Sequence, residues 1–198
     1  MPKRVDHQAR RTLIADALMR VAATSGLEAV SLRHVAAEAG VTSGMVQHYF
    51  ATKDEMMGFA LEVIKERNEA RVTAAVEALA QPLTPYALVR TILVELLPLD
   101  EQRRADGRVA LAFLAYIAVR PAAAARMRAD TDQMVGFIAE QIRAAQAAGD
   151  SPAGLHPTHA AAGLLAAMEG LGVYLLGGQY DPDIAVSALD TQLSTIFI

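Results

Sequence analysis

The chain has 198 residues, is 53 % hydrophobic and contains neither cysteine nor tryptophan, a size that suits one sizeable domain or a small domain joined to a larger one. Without cysteine, disulfide frameworks, thiolate catalysis and cysteine-rich metal sites are excluded. The formal charge of −4 is uneven: residues 1–53 hold seven Arg or Lys against four Asp or Glu (+3), and residues 54–198 hold eleven against eighteen (−7), as in a protein that brings only its head near phosphates.

Ala and Leu dominate over β-branched residues, so an all-α fold is expected. The first helix is predicted over Gln8 to Ser25, where Ile14, Ala17, Leu18, Val21 and Ala22 make one apolar stripe and Gly26 stops it. Ser31 caps a second helix that turns Leu32, Val35, Ala36 and Ala39 inward. Gly40 breaks the chain, and Thr42 caps a third helix to about Tyr49. Thr52 and Glu55 form a capping box for a fourth, with Met56, Phe59, Ala60, Val63 and Ile64 inward, running to about Ala80.

Longer helices follow over Tyr86 to Leu97, Asp100 to Val119 and Ala122 to Ala148. The segment Ala147 to Pro157 is rich in Gly, Pro, Asp and Ser and reads as the most mobile internal loop. A helix from Thr158 or His159 to about Gly177 and a last one from Pro182 to near Ile198 complete the chain. The beginning, Met1 to Arg11, is charged and polar, unlike a signal peptide. The most apolar stretch, Ala160 to Leu176, carries Glu169 and several glycines and is short for a bilayer span. A soluble cytoplasmic protein without membrane contact is expected.

Two short helices joined by a tight glycine-containing turn describe a helix-turn-helix. Ala36 and Ala39 are small where the helices approach, and Val41 and Val46 plug the second helix against the first. Thr42, Ser43, Gly44, Met45, Gln47, His48 and Tyr49 remain outward, free of acidic side chains, so a major groove can accept them. Gln47 suits adenine N6 and N7 or phosphate, and otherwise a solvated face. Thr42 and Ser43 suit phosphate or base edges, although capping alone explains Thr42. Gly44 lets the duplex come close, and His48 and Tyr49 offer phosphate contacts or pack on the head. Arg33 and Lys53, each in the first turn of a helix, are phosphate clamps, and Arg4, Arg10 and Arg11 form a candidate arm beside the groove.

The segment VAAEAGVTSGMVQHYFATKDEM, Val35 through Met56, closely resembles the signature of the TetR/AcrR family of bacterial repressors: Ala36, Ala39, Gly40, Val41, Thr42, Gly44, Tyr49, Phe50 and Lys53 match, with Ser31 and Leu32 ahead. The resemblance implies a nine-helix subunit with a three-helix head. It assigns the DNA-facing role to Arg33, Thr42, Ser43, Met45, Gln47, His48, Tyr49 and Lys53. Many members carry Tyr where this chain has Gln47. The Val-Gln-His-Tyr-Phe form is similar to the branch of choline-responsive regulators. The motif covers residues 8–60. A DNA-binding domain over 1–54 and a ligand-binding and dimerisation domain over 55–198 are expected.

The last two helices carry Leu164, Leu165, Met168, Leu171, Leu175 and Leu176 on one and Ile184, Ala185, Leu189, Leu193 and Ile196 on the other. Gly163, Gly170 and Gly172 permit close crossing. A homodimer through residues 158–198 is therefore expected, its two-fold axis matching a palindromic operator of double-stranded DNA; a hairpin buried within one subunit is the alternative. A pocket for a small, apolar or aromatic effector is expected among Phe113, Tyr116, Met127, Met134, Phe137, Met168 and Tyr174, with Arg90 and Glu95 near it; ordinary core packing explains each of these residues as well. No phosphate loop, His-Glu-x-x-His stretch or completed ligand set accompanies His156 and His159, so neither an enzyme, a cofactor nor a metal site is expected. A ligand-responsive repressor is the reading, with a helical partner-binding scaffold lacking DNA affinity as the alternative.

Overall fold

A computed structural model of the chain describes residues 7–117 and 121–198. Among the described residues it is all-helical: α1 (His7–Ser25), α2 (Leu32–Glu38), α3 (Ser43–Tyr49), α4 (Lys53–Glu77), α5 (Pro85–Leu96), α6 (Glu101–Ile117), α7 (Pro121–Ala148), α8 (Pro157–Leu176) and α9 (Pro182–Ser194), with a 3-10 turn over Leu27–Ala29. The helix expected to reach Val119 is described to Ile117, and 118–120 lie outside the described residues.

Helix starts follow local chemistry. Ser31, Thr42 and Thr84 accept the backbone N–H of His34, Met45 and Ala87 at 3.2, 3.2 and 3.1 Å, satisfying one otherwise orphaned donor each. Thr52 does the same for Glu55 N–H at 3.1 Å, while Glu55 reaches back to Ala51 N–H at 2.9 Å, one residue earlier than the reciprocal box would have it. Pro85, Pro157 and Pro182 occupy first turns, where their missing N–H has no helical partner to lose. Gly26 follows α1 with φ of +77°, a conformation that side chains oppose.

The described residues form two compact units. One comprises the chain up to Arg67 together with Glu101–Tyr116; the other comprises Asn68–Asp100 and Ile117–Ile198. The first has a core of Ile14, Leu18, Val35, Val46, Phe50, Met56, Ala60 and Val63, joined by Val109 of α6, with Phe113 and Tyr116 packed against it. Arg67 sits in this unit between Asp16 of α1, 2.5 Å away, and Asp106 of α6, 3.4 Å away. Asp106 is nearly buried and also accepts from Gln102 Nε2 at 3.1 Å. The Tyr116 hydroxyl donates to the Asp54 carboxylate.

The second unit is centred on α7 and α8, with α5 and α9 packed against them. Its core includes Val89, Leu93, Leu97, Ile138, Ile142, Leu164, Met168, Leu189 and Leu193. The helix α9 stops at Ser194 rather than at the last residue, because Ile196 and Phe197 fold back into this core. Ile198 N–H then donates to Asp150 O at 2.9 Å. The loop expected to be most mobile is thus tied at Asp150, and Gln146 Nε2 donates to Pro152 O and Leu155 O, both at 2.9 Å. Among the described residues, α8 is the one helix long and apolar enough to cross a membrane; here it buries Ala161, Leu164, Leu165, Met168 and Leu175 against its own unit.

Candidate nucleic-acid interface

The helix pair is built around a single bend. Gly40 has φ of +65°, which an L side chain would resist, and its neighbours close the turn through Gly40 N–H to Ala37 O at 3.2 Å and Val41 N–H to Ala36 O at 2.9 Å. Beyond the bend, Val46 and Phe50 are fully buried and lock α3 onto the core beneath it. Arg20 of α1 braces the end of α2, its Nε 2.6 Å from Glu38 Oε1, and His34 Nδ1 donates to Ala29 O at 2.7 Å.

With Val46 inward, the remainder of α3 is left outside. Thr42, Ser43, Gly44, Met45, Gln47 and His48 are exposed, and Tyr49 is half-buried. Arg33 is exposed in the first turn of α2, and Lys53, half-buried, opens α4. A methyl placed on Gly44 would meet only Thr42 Oγ1, 4.0 Å away, so nothing within the subunit requires a glycine there. The expected DNA-facing residues therefore lie at the helix starts and on the outer side of α3. No Asp or Glu falls between Val41 and Lys53, so no carboxylate from that stretch opposes a phosphate backbone.

One residue behaves differently from its sequence-based expectation, and another had drawn none. Arg11 turns inward: its guanidinium lies 4.8 Å from the Phe50 ring centroid and 4.4 Å from that of Phe59, and 3.5 Å from Glu55 Oε1. It is a brace of the head, held by cation–π attraction, while Arg10 stays exposed and Arg4 lies outside the described residues. His7, which carried no pattern to single it out, joins His48 and Tyr49 in a cluster of rings with centroids 4.9 to 6.0 Å apart. The start of α1 is thereby placed beside the end of α3.

The expected effector-lining residues are divided between the two units. Phe113 and Tyr116 belong to the first unit, their rings stacked with centroids 6.0 Å apart. Met134, Phe137 and Met168 pack in or against the second core, and Met127 is half-buried on α7. Tyr174 points outward, 48 % exposed, beside Tyr180. Arg90 holds Asp190 through two hydrogen bonds of 2.6 and 2.9 Å, an arrangement that raises its pKa chiefly through that bonded carboxylate. Glu95 is engaged by Arg71 at 3.2 Å. In the first unit an open groove of about 500 Å³ runs past Asp16, Arg20, Glu38, Arg67 and Asp106, with Met19, Ala23 and Ala105 also in its walls.

Two family profiles cover most of the chain: residues 14–58 match the bacterial regulatory proteins of the tetR family, and residues 85–197 match the C-terminal region of BetI-type transcriptional repressors. The chain belongs to the TetR family. A transcriptional regulator from Rhodococcus sp. RHA1 is 34 % identical, with a TM-score of 0.80 over 94 % of this chain and 95 % of that one. The regulator PksA of Bacillus subtilis (strain 168) is 39 % identical over 116 residues, 59 % of this chain and 55 % of its own; the chain thus matches about half the length of this curated relative. A regulator from Saccharomonospora viridis, solved in complex with choline, shares the fold with a TM-score of 0.86 over 96 % of this chain and 99 % of that one, at 21 % identity. TetR-family proteins are DNA-binding regulators, and homodimers that bind effectors are typical of them.

Proposed function

We propose that this TetR-family protein is a repressor that binds a palindromic operator as a homodimer and is released by a small, apolar or aromatic effector. Residues 1–54 supply the DNA-binding module, and residues 55–198 supply dimerisation and effector binding. The observation that carries the DNA reading is the capped α3, anchored by buried Val46 and Phe50, with an acid-free outer side. Thr42, Ser43, Met45, Gln47, His48 and Tyr49 meet the groove, Gly44 lets it approach, and Arg33 and Lys53 hold flanking phosphates.

The second copy docks through α8 and α9. Val173, Tyr174 and Ile184 are 45, 48 and 52 % exposed, large apolar surface that a monomer would leave wet. A membrane is the poorer occupant for that face, because Glu169 sits within it and a carboxylate is costly in hydrocarbon. The effector works as a population shift: it favours a spacing of the two heads that misses the half-sites, and linkage makes operator DNA weaken the effector in return.

Phe113, Tyr116, Met134, Phe137, Met168 and Tyr174 remain the candidate effector contacts. Choline is titrated beside apolar and aromatic compounds, because the C-terminal region matches the BetI type and a relative of the same fold was solved with it. Fluorescence anisotropy of the full chain on its own upstream DNA tests the proposal. Saturable, salt-sensitive binding of a dimer, lost on adding an effector, is expected. A folded dimer indifferent to any duplex favours the partner-binding scaffold instead.

A further inference from the structure

We propose that Glu169 ties dimer strength to pH, so that association of two copies through α8 and α9 is tightest when both Glu169 carboxyls carry a proton. This rests on the dimer reading above. The helix α8 buries Leu164, Leu165, Met168 and Leu175 on one side. At three- and four-residue intervals on the other side it leaves His159, Ala162, Gly163, Ala166, Glu169 and Val173 exposed, one face of a helix by its period. Glu169 is the one carboxylate on that face, set among small and apolar neighbours, and partial burial already pushes its carboxyl up.

Neither α8 nor α9 brings a cation to offset further burial. Residues 151–198 contain no Lys or Arg at all, so a second copy brings α8 and α9 without one. The remaining acids of that segment are Asp181, Asp183 and Asp190, the last held by Arg90. The neighbouring α7 faces the core with Ile138, Ala139, Ile142 and Ala145 and leaves Glu140 and Arg143 exposed. Where the chain passes Gly172 it offers Pro98, and the nearest charge along that stretch is another carboxylate, Asp100. His156 and His159, stacked at the start of α8 with ring centroids 3.9 Å apart, lie about 20 and about 15 Å along the helix axis from Glu169. A carboxylate desolvated without a cation binds its proton more tightly.

The sign follows by linkage. A carboxyl whose pKa is higher in the dimer than in the free subunit takes up a proton on association. Association is then strongest below the free subunit's pKa and weakens as pH rises through the dimer's. Two copies act together, so a rise of one unit in each changes the dissociation constant about a hundredfold between the two limits.

Sedimentation equilibrium of the full chain from pH 5 to pH 8 tests this, alongside Glu169→Gln and Glu169→Ala, with far-ultraviolet dichroism showing that each variant is folded. The wild type is expected to dissociate more readily as pH rises, by tenfold or more. Both variants are expected to lose the part of that slope due to Glu169 and to associate more tightly than the wild type at pH 8. A purely structural role would shift association equally at every pH. A wild-type constant that is flat, or that tightens with rising pH, overturns the proposal, as does a slope that both variants retain, which would assign it to the histidines. A chain that is monomeric at every pH defeats the dimer reading itself.

Discussion

Replacing Gly40 and Gly44 separately by alanine distinguishes the backbone that makes the bend from the surface that meets the duplex. At Gly40 the new methyl has nothing within 4 Å, but φ is +65°, so the cost is conformational and not steric. A left-handed conformation costs an L-residue roughly 1–2 kcal/mol. Restricting the unfolded chain returns about 0.4–1 kcal/mol, leaving a net loss of about 1 kcal/mol. For a chain of this size that lowers Tm by about 2–4 °C. At Gly44 the backbone is helical and the nearest atom is 4.0 Å away, so alanine is tolerated or stabilises by up to about 1 kcal/mol. Thermal unfolding should therefore order the proteins Gly40→Ala, wild type, Gly44→Ala from least to most stable. Operator affinity by anisotropy should order them differently, with Gly44→Ala weakened tenfold or more because its methyl lies on the approach surface. A Gly44→Ala protein that binds the operator as tightly as wild type would show that the first turn of α3 is not where the duplex comes closest. A Gly40→Ala protein of undiminished stability would refute the backbone argument.

Arg33→Ala should weaken binding to specific and unrelated duplexes alike and make the plot of log affinity against log salt shallower by about 0.9; an unchanged slope would remove Arg33 from the phosphate contacts. Gln47→Ala, if Gln47 reads a base, should relax discrimination at one operator position by about 1–3 kcal/mol, whereas an equal loss on every sequence would assign it to the backbone. Arg67→Met leaves the nearly buried Asp106 with Gln102 as its donor and without the guanidinium, and should cost about 3 kcal/mol in denaturant unfolding. Adding Asp106→Leu should recover much of that loss, and a double variant as unstable as the single would show that the pairing is not the cause.

Several helix starts were legible because capping is local: Ser31, Thr42 and Thr52 each sit where the chain must satisfy a free N–H, and Pro182 marks a first turn, whereas the helices expected from Tyr86 and from Thr158 or His159 open at Pro85 and Pro157. The bend at Gly40 was legible for the same reason. The inward turn of Arg11 was not, because a cation near a basic N-terminus carries no sign of the Phe50 and Phe59 rings that receive it. His7 was invisible for a like reason; its neighbours His48 and Tyr49 are far along the chain. The fold-back of Ile196 and Phe197 escaped detection because an apolar tail continues a helical period as readily as it ends one. Which core each apolar residue joins was the least legible. Apolar periodicity marks burial without saying in which core, and Phe113 and Tyr116 belong to a different unit from Met168.

The placement of α6 has a consequence for chimaeras between relatives. A transplanted head taken as one contiguous N-terminal stretch would arrive without Val109, Phe113, Asp106 and Tyr116, which complete its core and its polar contacts from beyond residue 100. Recombinants that exchange specificity by a single crossover should then suffer mismatched packing, whereas those that carry α6 along with its native head should stay folded. Selection acting on operator choice would, on the same grounds, act on two separated stretches of the gene at once.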